Sequence, residues 1–281
     1  MQFKIKKTIG HGVLYTILIA FSIITLYPVV YAILGSFKTN MELMTGGGIL
    51  PSVFQFKNYL YVWEKANFAK YTMNSVFICF FSTIGALIIS SITAYCIERY
   101  DFFGKKVIYA LYLSTMFIAL GAVTLRPLYL LAVQANMHNT LWPIIIIQIG
   151  SQGVNIFLIT KFIKSIPKEL DEAAMIDGCG PFKIYYAILV PLLKPILAVV
   201  ALFQFRLSWN DYIVPSVFTM TQPDLRPLTV GVVQLKWGTG AASEWHLMMT
   251  GAAISIIPIL IIYFVANKHF MAGLTDGGVK G

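Results

Sequence analysis

Four of the twelve acidic residues, Glu169, Asp171, Glu172 and Asp177, fall close together in one polar stretch, Ser165 to Pro195, between apolar blocks. Pro167 stands where a helix can start, because its missing N–H leaves no orphan there. Glu169, Asp171 and Glu172 then occupy the first turns, where carboxylates suit the positive end of the helix dipole. Gly178 follows as a left-handed cap. Gly180-Pro181 opens a second short helix, Phe182 to Leu189, expected to end before Pro191. The chemistry this knuckle offers is docking. Ala173 and Ala174 give a small face that a partner can approach. Glu172 can supply a charge-assisted hydrogen bond, worth about 1.5–3 kcal/mol once desolvated.

The other reactive residue types give no catalytic set. The four histidines are scattered, and Cys79, Cys96 and Cys179 show neither metal spacing nor a disulfide framework. Gly46-Gly47-Gly48 lacks the Lys-Ser or Lys-Thr of a phosphate loop and reads as a flexible turn. No paired His-Glu or Asp-Asp set and no nucleophile elbow lies inside the apolar segments. The methionines read as packing.

The elements that hold the knuckle are apolar. The 281 residues are 58% hydrophobic and 12% charged, with mean hydropathy +0.75. A water-soluble domain carries roughly 25% charged residues, so the chain reads as an all-α integral membrane protein. Six transmembrane helices are expected, over 12–36, 71–97, 107–131, 141–162, 192–218 and 247–265, in one membrane domain. Pro28 is a kink in the first span; Gly121, Arg126 and Pro127 interrupt the third. The first apolar run, Val13 to Gly35, is too long for a signal peptide and reads as a retained span. The net charge of +9 comes without a basic run or RNA-binding aromatics, so nucleic acid is not an expected partner. Thirteen of the 21 basic residues fall on one side if the N-terminus is cytoplasmic, which places both termini inside. All five tryptophans then fall outside or near the outer edge. The knuckle, after four spans, faces the cytoplasm.

The knuckle resembles the signature loop of ABC importer permeases: EAA, three residues, Gly, nine residues, then Ile-x-Leu-Pro. Here Glu172-Ala173-Ala174 precedes Met175-Ile176-Asp177 and Gly178, and Ile188 and Pro191 follow at the required distance. Val190 replaces the preferred Leu. SFKT (Ser36 to Thr39), SWND (Ser208 to Asp211) and the ending GLTDGGVKG (Gly273 to Gly281) are similar to the carbohydrate-uptake branch, and the ending resembles the smaller permease of maltose-type importers. The resemblance implies a coupling helix between spans 4 and 5, wedged by Glu172, Ala173, Ala174, Asp177, Gly178 and Pro191 into a cleft of an ATP-binding subunit. It implies a second, related permease, two ATP-binding subunits, and an extracytoplasmic solute-binding protein, in the cell membrane. ATP and Mg would be bound by the partner ATPase, with no cofactor in this chain.

Two readings of the polar residues in span 5 stand side by side. Arg206, Trp209, Asn210 and Asp211 would line a sugar route, or they snorkel and pack against the second permease. Arg206 and Asp211 are five apart, so they do not share a helical face squarely. Gln134, Gln148, Asn155 and Gln204 read as helix-to-helix hydrogen bonds. By resemblance, the loop Gln234 to Trp245, with Trp237, Gly238, Thr239 and Gly240 at its tip, reaches into the binding protein; alone it is a surface turn. Likewise Gly277, Gly278 and Lys280 would thread between the ATP-binding subunits; alone they read as a flexible end. The alternative function is an ion-coupled secondary transporter, but the spans offer only Asp211 as a coupling carboxylate.

Overall fold

The computed structural model describes residues 2–118, 121–236 and 243–278. Among them no strand occurs. α1 (Gln2–Gly35) holds Pro28 without breaking. Its apolar part, Leu14–Gly35, has none of its strongest window buried against the rest of the chain. α2 (Asn40–Met44) starts in a capping box: Thr39 Oγ1 accepts from the Glu42 N–H, and the Glu42 carboxylate accepts from the Thr39 N–H. α3 (Lys57–Lys65) precedes α4 (Phe68–Arg99), whose 32 residues extend about 48 Å, longer than a hydrocarbon core of about 30 Å. α5 (Lys105–Ser114) and α6 (Leu125–Gln134) flank a 3₁₀ turn at Gly121–Thr124. The third expected span is therefore not one continuous helix.

α7 (Trp142–Gly150) and α8 (Gly153–Lys164) are a single apolar run bent by 49°. α9 (Glu169–Ile176) is the first arm of the knuckle. The second arm differs from expectation. α10 (Pro181–Ile184) passes through a π-helical turn, Tyr185–Leu189, into α11 (Val190–Asn210). Pro191 does not end this helix. A proline ring collides with the carbonyl four residues earlier and leaves it unbonded. The widened turn, in which the Val190 N–H reaches the Tyr185 carbonyl, takes up that misfit just before Pro191. The knuckle's second arm is thus the start of a run long and apolar enough to cross a membrane, Pro181–Asn210. α12 (Ile213–Phe218), α13 (Leu228–Leu235) and α14 (Trp245–Gly278) complete the chain. α14 runs on past Val265, where the last span was expected to end.

Four described helices are long and apolar enough to span, and a fifth if the bent pair counts as one. By its internal contacts the chain divides into two units: Met1–Ala69 with Gly231–Ile256, and Lys70–Val230 with Ile257–Gly281. In the first, the SFKT segment is an anchor. Asn58 Nδ2 donates to the Ser36 and Lys38 carbonyls, 2.9 Å each, and Thr250 Oγ1 donates to the Ser36 carbonyl at 3.0 Å. The buried Lys38 ammonium donates to the Gly48 carbonyl, so the Gly46–Gly48 turn has a fixed partner. In the second unit, one cluster joins Ala94, Tyr95, Ile159, Ile163, Leu189, Leu193 and Val200, so α4, α8 and α11 pack together beside the knuckle. Another joins Ile78, Ala132, Leu141, Ile144, Ile145 and Phe218.

Candidate functional site

The knuckle is built by its backbone first. The Cys179 N–H bonds the Ala174 carbonyl at 2.9 Å and the Gly178 N–H bonds the Met175 carbonyl at 3.0 Å. This is a Schellman cap. Gly178 sits at φ +76°, in the left-handed region that costs other residues roughly 1–2 kcal/mol. Glu169, Asp171 and Glu172 occupy the first turn of α9 as expected. Their side chains then part company. Glu172, Ala173 and Asp177 are exposed, whereas Asp171 and Ala174 are buried. Ala173 and Ala174 therefore do not form one small face: successive residues stand about 100° apart around a helix, and Ala174 packs into its own protein. The exposed surface carries large apolar side chains beside the acids instead. Ile176 is 87% exposed and Met175 is also exposed, both one turn from Glu172, while Leu170 is exposed elsewhere on α9 and Phe182 on α10. Pro191 is exposed as well.

Behind this surface, the knuckle is stitched to α4. Asp171 Oδ2 lies 2.6 Å from Arg99 Nε, both side chains 7% exposed or less. The two are in contact as charges, although Nε is not aimed to hydrogen-bond and Asp171 Oδ1 has no hydrogen bond. Arg99 Nη2 donates to the Ile166 carbonyl at 3.0 Å. Ser91 Oγ and Tyr185 Oη are 2.7 Å apart, and Tyr95 Oη donates to the Pro181 carbonyl at 3.3 Å.

The far end of the Pro181–Asn210 helix lies about 45 Å away along its axis. Here a cleft of about 430 Å³ is lined by Gln148, Ser151, Gln204, Arg206, Asn210 and Asp211, with Ile147 and Leu207. Asp211 and Arg206 share it because α11 ends at Asn210 and Asp211 turns extended, at ψ 125°. Helical spacing alone would have kept them apart. Asp211 Oδ2 accepts from Gln148 Nε2 at 3.1 Å. Among the described residues no ion pair joins Arg206 to Asp211. Trp209 departs from expectation. It is buried, stacked on Phe205 with 5.5 Å between ring centroids, and does not line the cleft. A large apolar ring one residue from the helix end is shielded better by a neighbouring ring than by an aqueous groove.

A neutral ladder runs behind the cleft. Asn155 Nδ2 donates to Gln152 Oε1 at 2.6 Å, Gln152 Nε2 to Gln204 Oε1 at 3.3 Å, and Gln204 Nε2 to Ser208 Oγ at 3.3 Å. Ser208 Oγ meets Ser82 Oγ at 2.8 Å. Gln152 lies at the α7–α8 bend, where its amide also donates to the Gln148 carbonyl. Of the four amides expected to bond between helices, Gln204 does so, to Gln152 at the bend; Gln148 reaches Asp211 just past α11, Asn155 bonds the start of its own helix, and among the described residues no such bond is seen for Gln134. Beside the bend, a β-carbon on Gly153 would run into the Tyr112 carbonyl, so only glycine lets α5 approach α8 this closely.

Trp237, Gly238, Thr239, Gly240 and Lys280 lie outside the described residues. Gly277 and Gly278 lie in the last turn of α14. Among the described residues, no three His, Cys, Asp or Glu side chains are grouped to hold a metal.

Residues 13–275 match the family of binding-protein-dependent transport system inner membrane components. The chain belongs to that family. It is 33% identical over 273 residues to an arabinooligosaccharides transport system permease protein of Halalkalibacterium halodurans, covering 95% of this chain and 96% of the relative. It is 35% identical over 235 residues to a melibiose/raffinose/stachyose import permease protein of Bacillus subtilis, covering 83% and 84%. A galactooligosaccharides transport system permease protein of the same organism is 31% identical over 286 residues, covering 99% and 98%. The fold is similar to the crystal structure of a bacterial ABC transporter involved in the import of the acidic polysaccharide alginate. The TM-score is 0.78 at 24% identity, over 92% of this chain and 96% of that one. The family is one of multi-pass inner-membrane transport components, and the chain has the ABC importer permease fold.

Three residues of this permease were not singled out by sequence. Arg99 was counted only as a basic residue in a turn. Gln152 carried one signal, its one-turn helical spacing from Gln148. Ser82 carried none, since a lone serine in an apolar helix usually bonds its own backbone.

Proposed function

We propose that the chain is one of two related membrane subunits of an ATP-driven importer for a sugar or oligosaccharide. Two separate ATP-binding subunits hold ATP and Mg, and an extracytoplasmic solute-binding protein delivers the substrate. In this reading six spans cross the membrane: α1, α4, α5 with α6, α7 with α8, α10 with α11, and α14. Both termini and the knuckle face the cytoplasm. The observation that carries the reading is the exposure of Met175 and Ile176, one helical turn from the exposed Glu172, on a Schellman-capped helix of eight residues, too short to cross a bilayer. Such a surface is left bare in water unless another protein covers it. We assign that cover to the ATP-binding subunit, into which α9 wedges.

The cleft supports a hydroxyl-rich substrate. Arg206 donates and Asp211 accepts, and the amides of Gln148 and Asn210 do both. Its volume falls in the range of about 300–1,000 Å³ typical of small-molecule sites. The names of the relatives support sugars as the substrate class. An ion-coupled carrier is not favoured: its coupling carboxylate would be Asp211, which lies past the end of a span and is bonded to Gln148.

The test is Gly178→Val. A branched residue at φ +76° opposes the cap, so the variant should remain in the membrane, lose its co-purifying ATPase and lose uptake. Unchanged ATPase association and uptake would refute the docking role.

A further inference from the structure

A docked helix moves its own protein only if it cannot swing on its tethers. α9 hangs between two turns, Ser165–Lys168 and Asp177–Gly180. We infer that Arg99 is the positioning residue that joins α9 to α4, so that displacement of the elbow moves the span as one body. The inference rests on the docking reading above and adds to it where the motion goes.

Four observations support it. Arg99 lies in the last turn of α4 and reaches across to the elbow at two points, the Asp171 carboxylate and the Ile166 carbonyl. One point lies within the turn that α9 would otherwise pivot on, and the other in the first turn of α9 itself. The contact is buried, so water does not weaken it as it would a surface pair. The other arm is tied to the same helix through Ser91–Tyr185 and Tyr95–Pro181, and the Tyr95 and Tyr185 rings lie 5.6 Å apart. Finally, Asp171 faces inward while Glu172, next to it, faces out. One carboxylate holds the elbow to its own chain, and its neighbour is left for a partner.

The experiment uses the full transporter purified with its ATPase. Spin labels are placed on Cys96, exposed on α4, and on Met175→Cys, exposed on α9, with Cys79 and Cys179 replaced by serine. The interlabel distance is measured without nucleotide and after trapping with Mg-ATP and vanadate. The unaltered pair should give one narrow distance in both states. Arg99→Gln should keep its ATPase and its ATP hydrolysis but widen the distribution about twofold, as expected of a segment released to move locally. The swap Arg99→Asp with Asp171→Arg should narrow it again. A narrow distance in Arg99→Gln, a broad one in the unaltered complex, or a broad one in the swap would overturn the inference. So would loss of the ATPase from Arg99→Gln, which would make the pair a folding or docking element. If the unaltered chain carries no ATPase, the docking reading itself fails and this inference goes with it.

Discussion

The two ends of the Pro181–Asn210 helix are held by different chemistry. At the elbow, one buried ion pair and a fork to a carbonyl tie α9 to α4. At the cleft, five neutral side chains pass a hydrogen bond from α8 across α11 to α4. A buried charge has one acceptable partner, and losing it leaves an ion stranded away from water. A ladder of amides and hydroxyls can exchange partners, and each bond contributes little. On the function proposed above, the contrast is that between a joint that must keep its shape while a partner pushes on it and a lining that must let groups re-pair as a substrate enters.

The largest effect should come from breaking the ion pair on one side only. Asp171→Asn strands the Arg99 charge and should destabilise by about 3–5 kcal/mol, read as a fall in the thermal unfolding midpoint in detergent. Replacing both, Arg99→Leu with Asp171→Leu, should recover most of that stability. The double variant should still fail to keep the elbow rigid, which separates stability from stiffness. If Asp171→Asn falls no further than the ladder variants, the comparison is wrong.

Next is Gly153→Leu, which forces α5 away from α8 beside the bend and should cost about 1–3 kcal/mol by overpacking. Gln204→Leu removes two bonds of 3.3 Å each and should cost only about 1 kcal/mol, since single hydrogen bonds between membrane helices average about 0.6 kcal/mol. A cost as large as that of Asp171→Asn would mean the ladder is as rigid as the joint.

The smallest effect lies outside both regions and calibrates them. Hydrogen bonds from Ser52 and Thr39 hold the exposed Glu42 carboxyl down to about 2, below its usual 4.5. Its support of α2 is therefore full above pH 4.5 and is lost as the pH falls toward 2. Pepsin should begin to cut near Leu43 across that interval, and Glu42→Gln should be cut already at its upper end.

What the sequence disclosed depended on how local the cause was. The Gly178 cap and the acids of the first turn were legible, because both follow from the residues of one helix. So was the interruption at Gly121, although Arg126 and Pro127 lie in the first turn of α6 and not in the break. The Arg99–Asp171 pair was not, because 72 residues separate its members and helix-dipole reasoning already gave Asp171 a role. Pro191 was misread as a stop because a π-helical turn has no composition of its own. Trp209 was misread as a lining residue because the shelter offered by Phe205 appears only once the helix is built. Arg206 and Asp211 come together for a similar reason: the helix ends between them, a boundary that no residue near Asn210 announces.

Among the described residues, α1 differs from the other long helices in having every side chain between Leu14 and Val30 exposed. The fold of this subunit thus imposes no side-chain order on that segment beyond hydropathy and length. In a saturation mutagenesis screen, apolar exchanges there should be silent wherever lipid is the neighbour. The positions that refuse exchange would then trace the footprint of another polypeptide lying alongside, an outline of the assembly recorded on the one helix with no internal reason to be particular.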